Sequence, residues 1–177
     1  MSGIVALVGN PRPGSRTAGL AALVAAEAAG AGLPELGRTL EVVDLSTLGP
    51  KVLDPGSDEA PAALERVRAA RLLIVATPAY KATYTGLLKA FLDRLPPEGL
   101  AGTYAVPVAV AASQADAEPT EAALRTLLAV LGARVAPRSL VLVDAVLREP
   151  DGAAAAAAAY VRDALTPALA APVRAPA

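Results

Sequence analysis

The chain has 177 residues, a hydrophobic content of 54% and a net charge of −1, which favours a globular fold with a sizeable core. The near-neutral charge and an aromatic content of 3% argue against nucleic acid as a partner. Cysteine and histidine are both absent, so disulfides, thiolate catalysis, zinc–sulfur sites and Ser-His-Asp triads are excluded. An enzyme of this composition would rely on a borrowed cofactor for its chemistry, without a catalytic side chain or a metal of its own.

The cellular location can also be predicted from the sequence. No stretch of the sequence has the pattern of a signal peptide or the length and apolar character of a membrane span. The absence of cysteine fits a reducing compartment. We therefore expect a cytoplasmic protein with no membrane partner.

Strands and helices alternate along the chain. Short apolar runs predict strands at residues 4–8, 40–45, 72–76, 106–110 and 140–143. Helical spacing of apolar residues predicts helices that follow residue 17, span 57–70, begin at 85–86, include 124–131 and span 153–169. This alternation predicts an α/β, flavodoxin-like three-layer sandwich with a five-stranded parallel sheet in the order 2-1-3-4-5.

Residues 1–170 are expected to form a single domain and residues 171–177 a disordered tail. Pro107 lies in the fourth predicted strand and has no N–H to donate, so we expect it at the start of that strand or at a bulge. In sheets of this kind ligands bind beyond the carboxyl ends of the strands, near the switch in strand order. The loops after strands one, three and four are therefore the candidate site.

The loop after strand one has the sequence GNPRPGSRT at residues 9–17. Its glycines and prolines impose a fixed path, and it leads into a helix whose first N–H groups favour an anion. The loop also supplies three polar side chains and two guanidinium groups, from Asn10, Ser15, Thr17, Arg12 and Arg16. A phosphate site is one interpretation; the other is that Ser15 or Thr17 only caps the helix.

The loop after strand three concentrates rare residues. The chain has three lysines, four tyrosines and one phenylalanine, and five of these eight lie within residues 80–91. A Pro-Ala-Tyr turn at a strand end presents backbone N–H groups and an aromatic side chain to a planar ligand. We interpret this segment, and Tyr80 and Lys81 above all, as part of a binding site. Lys89 and Asp93, four residues apart on the following helix, are expected to pair locally or across a subunit boundary.

Together the two loops resemble a known family. Residues 9–17 are similar to the Gly-Ser-x-Arg-x-x-Ser phosphate loop of the NAD(P)H-dependent FMN reductases, and residues 78–89 resemble that family's Pro-x-Tyr-x-x-x-Tyr-x-Gly-x-Leu-Lys segment. The likeness is greatest to the reductase components of two-component alkanesulfonate monooxygenases, and it extends from residue 4 to about residue 145.

The resemblance implies roles for these residues. The FMN phosphate would be held by the first loop, through Asn10, Arg12, Ser15, Arg16 and Thr17. The isoalloxazine ring would be lined by the second, through Pro78, Ala79, Tyr80 and Lys81. It further implies that NADPH or NADH passes a hydride to flavin N5, that a flavin-dependent monooxygenase receives the reduced FMN, and that the protein is a homodimer or homotetramer. Leu87, Leu88 and Phe91, on the helix beside the site, add some support for an oligomer.

The loop after strand four departs from the family pattern. Relatives place a Gly-Gly or similar pair there, whereas this chain has Ala112, Ser113 and Gln114, which could still contact the ring through backbone N–H groups. Asp116 and Glu118 would put negative charge near an anionic reduced flavin unless they face solvent. This departure leaves open whether FMN is a fixed prosthetic group or a substrate that leaves after reduction.

Two other functions remain open at this point. One is a reductase that uses tightly bound FMN to reduce quinones, azo dyes or chromate. The other is a flavodoxin-like electron carrier with no nicotinamide reaction, although flavodoxins proper are more acidic and richer in aromatic residues than this chain.

Overall fold

A computed structural model describes residues 3–32, 36–37 and 39–170. The predicted disordered tail, residues 171–177, lies outside the described residues. Within them, six parallel strands form one sheet: β1 (Ile4–Val8), β2 (Leu40–Asp44), β3 (Leu72–Pro78), β4 (Tyr104–Ala111), β5 (Arg134–Val135) and β6 (Leu140–Val143). Their order is β2-β1-β3-β4-β5, with β6 also beside β4, so the predicted parallel order is confirmed.

Helices cover both faces of the sheet. They are α1 (Arg16–Gly30), α2 (Glu59–Arg68), α3 (Gly86–Leu92), α4 (Gln114–Val130), α5 (Gly152–Tyr160) and α6 (Thr166–Ala170), with a π-helical turn (Val161–Leu165) joining the last two. Short 3-10 helices occupy Leu45–Thr47, Gly49–Val52 and Val146–Arg148. In the part of the chain that is described, no helix is both long and apolar enough to cross a bilayer.

Alternating residues of β1 show the three layers. Ile4, Ala6 and Val8 point into a core shared with α1 and α5, whereas Val5 and Leu7 point into a second core shared with α2, α3 and α4. All five are fully buried, as expected for a parallel strand covered on both faces. The predicted three-layer sandwich is confirmed.

The edge of the sheet beside β4 differs from the prediction. Two short strands share it: β5 pairs with the beginning of β4 and β6 with its end. Only β6 was predicted, at residues 140–143. A two-residue strand has no apolar period to detect, which is why β5 is absent from the sequence analysis.

Pro107 was expected at a strand start or a bulge, and this prediction is wrong, because the residue lies inside β4 in register with Val75. The N–H of Tyr104 faces β3 and donates to the carbonyl of Arg71, whereas the carbonyl of Ala105 faces β5 and accepts from the N–H of Ala136. By alternation, Pro107 faces the β5 side, at the interruption between β5 and β6. The missing N–H therefore costs the sheet no hydrogen bond.

The helix after β4 also begins earlier than predicted. The sequence predicts a loop over residues 111–119, but α4 begins at Gln114 and contains Pro119. Pro119 is the sixth helical residue, in the second turn, so α4 forms without the N–H that would otherwise donate to the carbonyl of Ala115. The loop proper is reduced to Ala112 and Ser113.

Candidate functional site

A cleft of about 490 Å³ lies at the carboxyl ends of β1, β3 and β4. This is the place where the strand order reverses, since β1 lies between β2 and β3. The volume is within the range of small-molecule sites. Its lining comes from three loops and from one residue after β6: Asn10, Arg12, Pro13, Gly14, Ser15, Arg16, Thr17, Pro78, Ala79, Tyr80, Val110, Ala111, Ala112 and Asp144.

The β1–α1 loop is held by its own side chains. Asn10 is only 7% exposed; its Oδ1 accepts from the N–H of Arg12 (3.0 Å), and its Nδ2 donates to Thr17 Oγ1 (3.3 Å). Gly14 takes a left-handed conformation, with φ of 62°. Ser15 caps α1 by accepting from the N–H of Ala18 (3.2 Å). The polar side chains of this loop thus fix its path. Ser15 is a helix cap, as one of the two interpretations of this loop expects.

The same arrangement leaves donors for an anion. Among the described residues, the N–H groups of Arg16 and Thr17 at the start of α1 have no carbonyl partner, as is usual in a first helical turn. Arg12 is exposed, and its guanidinium has no side-chain partner in the described part of the chain. A phosphate at this end of the cleft would meet backbone N–H groups, the positive end of a helix dipole and one free guanidinium.

Arg16 is not equivalent to Arg12. Its Nε donates to Asp144 Oδ1 (2.8 Å) and its Nη2 to Asp144 Oδ2 (2.9 Å), a bidentate ion pair across the mouth of the cleft. Arg148 Nη2 donates to the same Oδ2 (2.6 Å). Asp144 was not identified from the sequence. The signal that could have found it is its place directly after a predicted strand, at the edge of the sheet where ligands bind.

The other side of the cleft is a tight turn after β3. The N–H of Ala79 donates to the carbonyl of Val110 (2.7 Å), and Tyr80 and Thr83 form an antiparallel bridge. Between them Lys81 and Ala82 both have positive φ, 56° and 59°. This is the conformation of a two-residue hairpin turn that is usually built from Asn and Gly. The Tyr80 side chain is 39% exposed at the rim.

The two sides are joined directly. Thr85 Oγ1 donates to the carbonyl of Gly9 in the first loop. The same oxygen accepts from the N–H of Leu88 (3.1 Å), which caps α3. The Thr85 N–H donates to Thr77 Oγ1 (3.2 Å). Gly9 lies against α3 so closely that a Cβ there would be 2.7 Å from Leu88 Cβ. The geometry of each loop therefore depends on the other.

The third loop contributes little polar chemistry. Ala111 and Ala112 line the cleft. Ser113 instead caps α4: its Oγ accepts from the N–H of Asp116 (3.3 Å) and donates to Asp116 Oδ2 (2.9 Å). Gln114 Nε2 donates to Glu118 Oε1 (3.3 Å) on the exposed side of the helix. The two acids of this segment are thus hydrogen-bonded to their own helix.

Most of the predicted site residues come together in this one cleft. All five from the β1–α1 loop line it, as do Pro78, Ala79, Tyr80 and Ala112. Lys81, Ser113 and Gln114 lie beside it but not on its lining, so their contact with a ligand stays a prediction. The lining residues that were not predicted from the sequence are Pro13, Gly14, Val110, Ala111 and Asp144.

On helix α3, the local pairing expected for Lys89 and Asp93 is present. Lys89 donates to Asp93 within the same helix, and this hydrogen bond raises the pKa of Lys89. Within one chain, the two residues thus pair with each other. Leu88 and Phe91, which were considered as support for an oligomer, are fully buried in the chain's own core, so that suggestion is wrong for these two residues.

The chain is similar in sequence to known flavin reductases. A family model described as NADPH-dependent FMN reductase matches residues 3–147. The chain is 41% identical over 70 residues to FMN reductase (NADPH) of Escherichia coli, a match that covers 40% of this chain and 37% of that protein. It is 42% identical over 62 residues to FMN reductase (NADPH) of Pseudomonas putida, covering 35% and 32%. The matched segments thus span about a third of the length of these relatives.

Among solved structures, the apo form of an NADH:FMN oxidoreductase superposes with a TM-score of 0.77 at 35% identity, over 94% of this chain and 90% of that one. The relatives' names differ in the nicotinamide nucleotide, NADPH in two and NADH in the third.

Proposed function

Because the chain belongs to the NADPH-dependent FMN reductase family, we propose that it oxidises NADPH or NADH and delivers the hydride to FMN bound in the cleft described above. One observation carries the proposal. The phosphate donors at the start of α1 and the turn after β3 line the same cleft and are tied together through Thr85 and Gly9.

The residues present fit the cofactor. At one end, the free guanidinium of Arg12 and the N–H groups of Arg16 and Thr17 suit a dianionic phosphate. At the other, Pro78, Ala79 and Tyr80 offer an apolar and aromatic edge to a planar ring, with Val110, Ala111 and Ala112 beside them at the end of the neighbouring strand. When bound, FMN supplies the hydride acceptor, its N5 atom. The chain's own part is to bind and orient the two nucleotides, which agrees with the lack of histidine and cysteine.

A single assay tests this function. The purified protein's visible spectrum is recorded, and NADPH and NADH oxidation is then followed with and without added FMN. We expect oxidation that depends on added FMN, by a protein that is colourless after dialysis. A yellow protein that turns over quinones or azo dyes would support the tightly bound alternative instead. If both nicotinamide nucleotides remain unoxidised at every flavin concentration, the proposal is wrong and a carrier role takes its place.

We further propose that reduced FMN leaves the protein for a flavin-dependent monooxygenase in the cytoplasm. Support comes from the open rim of the cleft at Tyr80 and from the β4–α4 loop, which lines the cleft with Ala112 while the Ser113 hydroxyl is hydrogen-bonded to Asp116. Anaerobic gel filtration after reduction tests the release. Reduced flavin should elute apart from the protein; co-elution at micromolar protein would contradict release.

A homodimer or homotetramer is proposed as the assembly. Leu53 is 75% exposed beside the end of α3, where Arg94 Nη1 donates to the carbonyl of Val52 (2.8 Å), and Leu87 is half-buried on α3 itself. An interface between copies of the chain at this end of α3 would cover these apolar side chains. Light scattering should give a multiple of the chain mass of 17.7 kDa, and Leu53→Glu should lower it. A monomeric mass for the unaltered protein would contradict the proposal.

A further inference from the structure

We propose that Asp144 sets how tightly the cleft holds a phosphate-bearing flavin, because its carboxylate competes with the ligand's phosphate for the guanidinium of Arg16. The inference rests on the proposed flavin site and deepens it. It bears on whether FMN is retained or released, the question that the β4–α4 loop leaves open.

Asp144 is held in place by its backbone and by two arginines. The Asp144 N–H donates to the carbonyl of Ala111 (2.7 Å), which fixes its backbone at the end of β4. The Asp144 side chain is 21% exposed, whereas those of its two partners, Arg16 and Arg148, are 54% and 67% exposed. The carboxylate is thus the anchored member of the cluster. Arg16 is a long side chain that reaches it from the first turn of α1, 128 residues away in the chain.

The hydrogen-bonding capacity of Arg16 also bears on phosphate binding. A guanidinium binds a phosphate best in a bidentate manner, through two parallel N–H groups. The Nε and Nη2 groups of Arg16 are already used in that manner by Asp144. To bind a ligand phosphate with the same groups, Arg16 has to leave the carboxylate, so one ion pair is exchanged for another and the net gain is small.

So does the charge balance at this end of the cleft. Arg12 and Arg16 line this end of the cleft, Arg148 donates to Asp144 from beside it, and Asp144 is the acid among the lining residues. A phosphate ester carries a charge of about −1.5 to −2 at neutral pH, and it meets an opposing carboxylate here. Asp144 therefore weakens binding of a phosphate, while it has no comparable effect on a flavin that lacks one.

A double comparison tests this inference. Binding of FMN and of riboflavin is measured by quenching of flavin fluorescence for the unaltered protein, for Asp144→Asn and for Asp163→Asn. Asp163 is a matched control because it forms the same bidentate pair with Arg162 (2.7 and 2.7 Å) and does not line the cleft. Asp144→Asn should lower the Kd for FMN about tenfold and leave the Kd for riboflavin within about twofold. Asp163→Asn should change neither.

The role of Arg16 is tested in the same assay. In a protein that already carries Arg16→Ala, adding Asp144→Asn should tighten FMN binding much less than it does with Arg16 present, since the released guanidinium is missing. If Asp144→Asn fails to fold, the two arginine variants test the inference instead. Arg16→Ala should raise the Kd for FMN less than Arg12→Ala does.

The inference is overturned if Asp144→Asn leaves FMN binding unchanged or weaker, if riboflavin binding changes by the same factor, or if Arg16→Ala costs as much as Arg12→Ala. Its failure is separable from failure of the proposed function. In the first case the unaltered protein still binds FMN and oxidises NADPH or NADH with it. If the proposed function fails, NADPH and NADH stay unoxidised even where FMN binds; if neither flavin binds, both proposals fall.

Discussion

The two sides of the cleft are built by different means. The β1–α1 loop uses polar side chains that hydrogen-bond within the loop, with one left-handed residue that is a glycine, Gly14. The turn after β3 places two consecutive non-glycine residues, Lys81 and Ala82, in the left-handed region. Backbone strain of this kind persists only where the surroundings hold it, and it is concentrated at functional sites. The β1–α1 loop thus holds polar and charged groups in place for an anion. The turn after β3 holds a fixed backbone shape at a cost in backbone energy.

The largest effect is expected where the two sides meet. A Cβ at Gly9 would lie 2.7 Å from Leu88 Cβ, close to the backbone of α3, so Gly9→Ala should destabilise the protein by about 3 kcal/mol. Urea unfolding measures it. Gly19→Ala is the matched control, since nothing lies within 4 Å of a Cβ there and alanine favours the helix interior. Equal urea midpoints for the two variants would show that the sides are not tightly joined.

The charged side is tested through Arg12. Arg12→Ala should weaken FMN binding by roughly 1–3 kcal/mol, the range for losing a charge-assisted hydrogen bond, and leave riboflavin binding unchanged. Calorimetric titration with both flavins measures the difference. Arg66→Ala, at an exposed position on α2 away from the cleft, serves as the control for loss of a positive charge. An unchanged FMN affinity in Arg12→Ala would remove the phosphate assignment.

Loss of the connecting hydroxyl should have a smaller effect on stability than the clash at Gly9. Thr85→Val removes both the hydrogen bond to the carbonyl of Gly9 and the cap of α3, and should lower the free energy of unfolding by roughly 1–2 kcal/mol. Thr85→Ser keeps the hydroxyl and should recover most of it. A valine variant as stable as the serine variant would mean that the hydroxyl does not join the loops.

The smallest expected effect concerns the strained side. Ala82→Gly relieves a left-handed conformation at φ 59° and should stabilise the protein by about 0.5–1 kcal/mol. The control is Ala90→Gly on α3, where the same exchange should destabilise. Thermal unfolding compares the two. If Ala82→Gly also destabilises, then the turn is not strained and the contrast between the two sides disappears.

These two sides also differ in how far sequence could predict them. Glycine, proline and polar residues mark the β1–α1 loop, and the β1 strand before it is a plain apolar run, so both its place and its donors could be predicted. The turn after β3 could be placed by the unusual residues Tyr80 and Lys81. Its conformation could not, because lysine and alanine do not indicate a left-handed turn.

The features that could not be predicted depend on contacts between residues that are far apart in the chain. The pairing of Arg16 with Asp144 joins residues 128 positions apart, and nothing local to either residue indicates it. Pro107 was misplaced for a similar reason: the gap between β5 and β6 that accommodates it is formed by another segment. Ser113 was assigned to the cofactor, although its position three residues before Asp116 is equally that of a helix cap.

The central claim is that both loops hold one flavin. A crystal structure of the protein with FMN tests it most directly. The account predicts the phosphate group at the start of α1, in contact with the Arg12 guanidinium and the N–H groups of Arg16 and Thr17, and the ring along Pro78, Ala79 and Tyr80. Flavin bound elsewhere, or in this cleft with its phosphate away from α1, would contradict it.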